Sequence, residues 1–253
     1  MKVFTEIKKW YSSLVILILW QAGSSLNIIP SQILCGPDQI VRTFISLLFS
    51  GELLQDISIS LLRALTGLAL GMLAGILLSL TSSLFPWGES IIDIPVQMAR
   101  SLPFLGLAPL FILWFGIGEV SKVALVALGA FFPIYINLFA GVHNTDNKLL
   151  EACRLLGLSR WQRVLHVVLP SALPSFLVGL RYAFSIAWLS LVVAEQVNAD
   201  SGIGYLVMQA REYMRTDTMV LGLAVYALLG WMSHAFVKQL ETRLLSWRPA
   251  ITR

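Results

Sequence analysis

Long apolar runs broken by short polar segments define this chain, and each run is long enough to cross a bilayer as a helix. Residues 10–29 carry no charge and follow Lys8 and Lys9. Small residues at Ala22 and Ser24 would also suit a cleaved signal peptide. Trp10, Tyr11 and Trp20 sit as interface anchors and favour a retained first span. Residues 30–59, with Pro30, Pro37, Glu52 and Asp56, predict an outside loop with a helical portion near Ile40 to Leu54. The second span covers 60–85. Its Gly67, Gly71 and Gly75 recur every four residues, giving one very small face that lets helix backbones approach closely. The third covers 91–118 and is interrupted by Pro95, Pro103 and Pro109. It is expected to be broken, with its irregular backbone covered by protein or lining a wet cavity. The fourth span is 123–142, kinked at Pro133, and the fifth is 171–194, with Arg181 inside it. A polar segment at 195–217 contains Gly202-Ile203-Gly204, and the sixth span is 218–237. The expected fold is all-α, a polytopic membrane protein of about six transmembrane helices forming one domain over 1–253.

The polar stretch from Val142 to Pro170 interrupts this pattern most strongly. It carries Lys148, Arg154, Arg160 and Arg163 against Asp146 and Glu151. Leu149, Cys153 and Leu156 recur at helical spacing and predict a short amphipathic helix. Gly157 is placed to end that helix in a left-handed conformation. Ser159, with Gln162 three residues on, predicts a capping box that opens a second short helix. Pro170 and Pro174 fall near the start of the fifth span, where a missing N–H costs little.

Composition supports the membrane assignment. Of 253 residues, 57% are hydrophobic and 13% charged, and mean hydropathy is +0.78; globular domains carry about 25% charged residues. The net charge of +4 is no nucleic-acid signal, because the basic residues lie between apolar spans. With both termini inside, eleven of the 18 Lys and Arg residues are cytoplasmic, including Arg248 and Arg253. Four are outside (Arg42, Lys122, Arg211, Arg215) and three (Arg63, Arg100, Arg181) fall within spans. That bias obeys the positive-inside rule and puts 142–170 in the cytoplasm. Cys35 and Cys153 then lie on opposite sides and are too far apart for a disulfide. His143, His166 and His234 have no partners at metal-ligand spacing. No GxxxxGK[ST] loop, nucleophile elbow or zinc-protease helix is present, so any ATP-derived energy must come from another subunit.

Glu151-Ala152-Cys153, then Gly157, then Val167-Val168-Leu169-Pro170 resembles the cytoplasmic signature of permease subunits of ATP-binding-cassette importers. That pattern is Glu-Ala-Ala, three residues, Gly, nine residues, Ile-x-Leu-Pro; Cys153 replaces the second Ala and Val167 the Ile. Further blocks resemble the nitrate, taurine and sulfonate branch, nearest its aliphatic sulfonate members. They are Ser101-Leu102-Pro103, Pro109-Leu110, Trp114 to Gly118, Phe132 to Asn137, Gly179 to Tyr182, Val193-Ala194-Glu195 and Ser201 to Leu206. The resemblance implies a type I importer permease fold in the cell inner membrane. It implies coupling of ATP hydrolysis to transport through Glu151, Ala152, Cys153, Gly157, Leu169 and Pro170. The implied partners are an ATPase dimer on the cytoplasmic side, which holds ATP and Mg, a periplasmic or extracellular solute-binding protein, and a second copy of this chain. The chain itself is then no enzyme and carries no cofactor or metal. The implied cargo is a small organic anion, aliphatic sulfonates first, with taurine, nitrate, bicarbonate and pyrimidine precursors served by the same machinery. A different class stays open, an ion-coupled secondary transporter, which predicts inverted repeats and intramembrane carboxylates.

An arginine at the centre of a span costs about 2.5 to 3.5 kcal/mol on the insertion scale, so Arg63, Arg100 and Arg181 need a reason. One reading places them on an anion path with Pro103 and Glu195. The other has Arg63 snorkelling outward and Arg181 inward, with Glu195 in a structural ion pair.

Overall fold

The computed structural model describes residues 2–26, 28, 30 and 33–247; Arg248 and Arg253, assigned above to the inside, lie outside the described residues. The described residues are helical and contain no strand. The chain divides into two compact units, Met1–Ser60 with Ala199–Ala227, and Leu61–Asn198 with Leu228–Arg253.

The helices are α1 (Lys2–Ser25), α2 (Pro37–Phe49), α3 (Glu52–Leu84), α4 (Ile94–Arg100), α5 (Ala108–Phe115) and α6 (Glu119–His143). The polar stretch 142–170 gives α7 (Asn147–Leu155) and α8 (Arg160–Arg163), and the rest of the chain α9 (Leu169–Asn198), α10 (Ile203–Glu212) and α11 (Thr216–Leu244). Among the described residues, four stretches are long and apolar enough to cross a membrane: Glu52–Leu84, Glu119–His143, Arg160–Asn198 and Thr216–Leu244. A shorter apolar stretch, Val15–Ser25, lies in α1.

Three boundaries differ from the hydropathy reading. The second span begins at Glu52, because Gly51 takes φ +81° after α2 and lets a new helix start at once. The loop expected over 30–59 is therefore mostly α2 and the first turns of α3. The short helix expected after Ser159 does not stop before the fifth span. It runs into it through a π-helical turn, Val164–Val168, giving the continuous helical stretch Arg160–Asn198. The polar segment 195–217 holds a helix of its own, α10.

The third span is broken, as its prolines predict. A π-helical turn (Glu89–Asp93) leads into α4, Pro103 is extended at ψ 96°, and a 3-10 turn (Phe104–Leu107) leads into α5. Pro95 and Pro109 each stand in the first turn of a helix, where the absent N–H has no partner to lose.

Within the larger unit, α6 packs against both α3 and α9. The glycine stripe of α3 meets α6 so closely that a Cβ on Gly71 would lie 2.2 Å from the Ala127 carbonyl oxygen. Along a neighbouring face, α6 meets α9, where a Cβ on Gly179 would lie 2.8 Å from the Pro133 oxygen. One buried cluster joins Ala108 and Phe111 of α5 to Leu125 and Ala194. Another joins Leu138, Val142, Val168 and Ala172, with Leu150 of α7 packed against it. In the smaller unit, Asp56 and Ser60 accept the backbone N–H groups of Gly202 (2.8 Å) and Ile203 (2.9 Å). These are orphan donors at the start of α10, satisfied from α3. The Gly202-Ile203-Gly204 turn is thus a helix start held by another helix.

Candidate functional site

The polar stretch from Val142 to Pro170 is a corner built by local rules. Asp146 caps α7 by accepting the Lys148 N–H at 2.9 Å. Gly157 then takes φ +75°. The Leu158 N–H donates to the Cys153 oxygen (3.1 Å) and the Gly157 N–H to the Arg154 oxygen (3.0 Å), the paired bonds of a Schellman termination. Ser159 and Gln162 form the expected reciprocal capping box. The corner is tied to the rest of the larger unit in two ways: Leu150 and Cys153 are turned inward, and the Arg160 guanidinium donates to the Leu84 carbonyl at the end of α3.

The buried face of α7 differs from the expected one. Cys153 is buried, but Leu149 is half exposed and Leu156 is 78% exposed. Leu156 lies one residue beyond the last helical position, so the turn aims it away from the core. Leu155 (90%), Leu156 and Trp161 leave the corner with an uncovered apolar tip, and Glu151 is exposed beside it. Leu169 and Pro170 open α9, and Ala152 is exposed on α7.

A second constellation lies at the opposite ends of the same helices. Arg63 holds Glu119 with two contacts of 2.6 Å and Glu195 at 2.8 Å, and Lys122 reaches Glu119 at 2.8 Å. Arg63, Lys122 and Glu195 are buried, whereas the Glu119 side chain is 59% exposed. Two cations and two carboxylates thus neutralise one another where α3, α6 and α9 converge. Arg63 therefore does not snorkel outward. Lys122, assigned to the outside by charge counting, is buried in this cluster. Glu119 passed unnoticed in the sequence because nothing local links it to residues 56 and 76 positions away; its only signal was an acid placed directly after the Gly116-Ile117-Gly118 break.

Arg181 pairs with Glu241 of α11 at 2.5 Å, both side chains about one-third exposed. Arg100 stands apart. It lines a cavity of about 670 Å³ among α4, the broken Leu102–Leu107 backbone, α6 and α9, and Pro103 lines it too. The structure thus brings Arg63 to Glu195, and Arg100 to Pro103. Arg63, Arg181 and Glu195 are not among the cavity-lining residues.

Apolar spanning helices and a broken, proline-rich span define a multi-pass helical membrane protein. Residues 67–246 match the family model described as binding-protein-dependent transport system inner membrane component, and the chain belongs to that family. It is 45% identical over 98% of its length to "Putative aliphatic sulfonates transport permease protein SsuC" of Escherichia coli (strain K12), covering 95% of that protein. It is 43% identical over 92% of its length to the protein of the same name from Bacillus subtilis (strain 168), covering 85% of it. A crystal structure of an amino acid ABC transporter with histidines has the same fold. Its TM-score is 0.65 at 18% identity, over 79% of this chain and 97% of that one.

Proposed function

We propose that this chain is the permease subunit of an ATP-driven importer of small organic anions, with aliphatic sulfonates as cargo. Two relatives named for aliphatic sulfonates, at 45% and 43% identity over nearly the whole chain, support that cargo. The observation that carries the coupling role is the exposed apolar tip of Leu155, Leu156 and Trp161 on a rigid, basic cytoplasmic corner. Apolar side chains held out at a water-facing helix end fit a groove on another subunit. In this reading a partner ATPase dimer holds ATP and Mg and seats α7. Glu151 orients the contact. Cys153 packs α7 inward, the small exposed Ala152 lets the partner approach the α7 backbone, and the turn at Gly157 sets the angle of the corner. Leu169 and Pro170 pass its movement into α9.

The functional unit pairs two copies of this chain with the ATPase dimer and an external solute-binding protein, and both termini are cytoplasmic. ATP binding closes the ATPases, the corners move, and the path changes the side to which it opens. Arg100 and Pro103 line that path. Arg63 with Glu195, and Arg181 with Glu241, fix the helices that enclose it.

The test is ATP-driven uptake of hexane-1-sulfonate by the complex in sealed vesicles. Glu151→Lys should abolish uptake while ATP hydrolysis persists and the complex keeps its elution volume. Unchanged uptake would remove the corner from the mechanism, and uptake by this chain alone without ATP would overturn the importer reading.

A further inference from the structure

Among the arginines inside the spanning region, Arg100 is treated differently. Arg63 and Arg181 are ion-paired, whereas among the described residues Arg100 makes no ion pair, although it lines the cavity. The cavity contains no acidic side chain. Its polar members are Arg100, Asn137 and Tyr182, and the remainder of the lining is aliphatic, aromatic, proline or glycine. The Tyr182 hydroxyl has no hydrogen-bond partner among the described residues, and one Asn137 amide hydrogen is already given to the Pro133 oxygen at 2.8 Å. Arg100 is exposed at the edge of this apolar cavity and carries no carboxylate partner among the described residues, so an anion entering there meets an unneutralised cation.

The lining is also graded along the helices. Asn137 lies where α6 meets Gly179 of α9, one turn from Tyr182. Gly129 is eight residues nearer the start of α6, about 12 Å along a helix, and its neighbours are Ser190, Phe104 and Ile186; the Ser190 hydroxyl is committed to the Ile186 oxygen at 2.6 Å, and Phe104, Ile186 and Leu189 line the cavity. Asn137 and Tyr182 thus lie toward one end of the cavity, and the lining side chains around Gly129 at the other, Phe104, Ile186 and Leu189, are apolar. Its volume of about 670 Å³ lies within the usual range for small-molecule sites.

We propose that this cavity is a binding site within the permease itself for monoanions carrying an apolar tail, and that it rejects zwitterions. Arg100 and Tyr182 donate to the anionic oxygens, and Phe104, Ile186 and Leu189 cover the tail. An ammonium on that tail would lose its water and find no carboxylate. The inference rests on the importer reading and adds a selectivity filter downstream of any binding protein.

The experiment is calorimetric titration of the detergent-solubilised permease–ATPase complex, without binding protein, using hexane-1-sulfonate and 6-aminohexane-1-sulfonate. The first should bind at least tenfold more tightly than the second. Arg100→Gln should weaken hexane-1-sulfonate at least tenfold, and Arg100→Lys should recover part of the loss. Leu189→Glu supplies the missing carboxylate and should strengthen 6-aminohexane-1-sulfonate at least threefold, a gain that misfolding cannot mimic. Absence of binding by the wild-type complex, equal affinity for the two ligands, undiminished binding by Arg100→Gln, or no gain with Leu189→Glu would each overturn the site. ATP-driven uptake by the same wild-type preparation with binding protein separates the two readings. Uptake without cavity binding overturns the site and leaves the importer standing, and loss of both overturns the importer reading.

Discussion

At Arg63 one guanidinium satisfies carboxylates from two other helices, Glu119 at 2.6 Å and Glu195 at 2.8 Å. Burial makes this arrangement unforgiving: taking charges from water is repaid only while each keeps its partner. Glu195→Ala should therefore leave a buried cation uncompensated and cost about 3 kcal/mol or more. Thermal unfolding of the purified protein in detergent would read this as a fall in midpoint, and an unchanged midpoint would mean the cluster holds nothing together. The same scale separates what local sequence reveals from what it hides. Gly157 and the Ser159–Gln162 pair were readable because each acts on its own neighbours within a few residues. The pairing of Arg63 with Glu119 was not, because 56 intervening residues must fold before the two meet.

The elements show the same division one step up. The four-residue recurrence of Gly67, Gly71 and Gly75 predicted a small helix face, and that face receives α6. Membrane helices gain little from hiding apolar surface from lipid, so close backbone packing has to hold them together. Gly71→Leu would drive a side chain into the Ala127 carbonyl, 2.2 Å from the Cβ position. Its expected result is loss of monodisperse protein in gel filtration, with Leu70→Ala, at an exposed neighbouring site, as the unaffected control. Proline spacing likewise predicted the broken third span. The short helix expected before Gly157 is α7, but of the recurring Leu149, Cys153 and Leu156 only Cys153 is buried, because Leu156 falls at the C-cap, one residue beyond the last helical position.

For the molecule as a whole, the proposed orientation rests on where basic residues accumulate, and the corner of α7 and α8 provides the handle to check it. Leu155 is 90% exposed, so Leu155→Cys in a Cys35→Ser, Cys153→Ser background should react with a membrane-impermeant maleimide in inverted vesicles. It should stay unlabelled in right-side-out ones, and labelling from the outer face would reverse the topology. Both native thiols are free and buried, and burial, helped by the Asp217 carboxylate, pushes the Cys35 thiol above its ordinary value. Their removal should cost little reactivity.

The sequence by itself determined the helical membrane class, the approximate spans, the proline break, the corner with its caps, and the family. Each follows from hydropathy, local hydrogen bonding or a short motif, which act along the chain. Only the tertiary structure decided that Arg63, Glu119, Lys122 and Glu195 form one neutral cluster, and that Arg181 has Glu241 as a partner while Arg100 is left facing a cavity. Hydropathy assigns each arginine the same cost. What offsets that cost is a carboxylate from a distant helix, and three-dimensional packing alone brings one within reach or leaves it out.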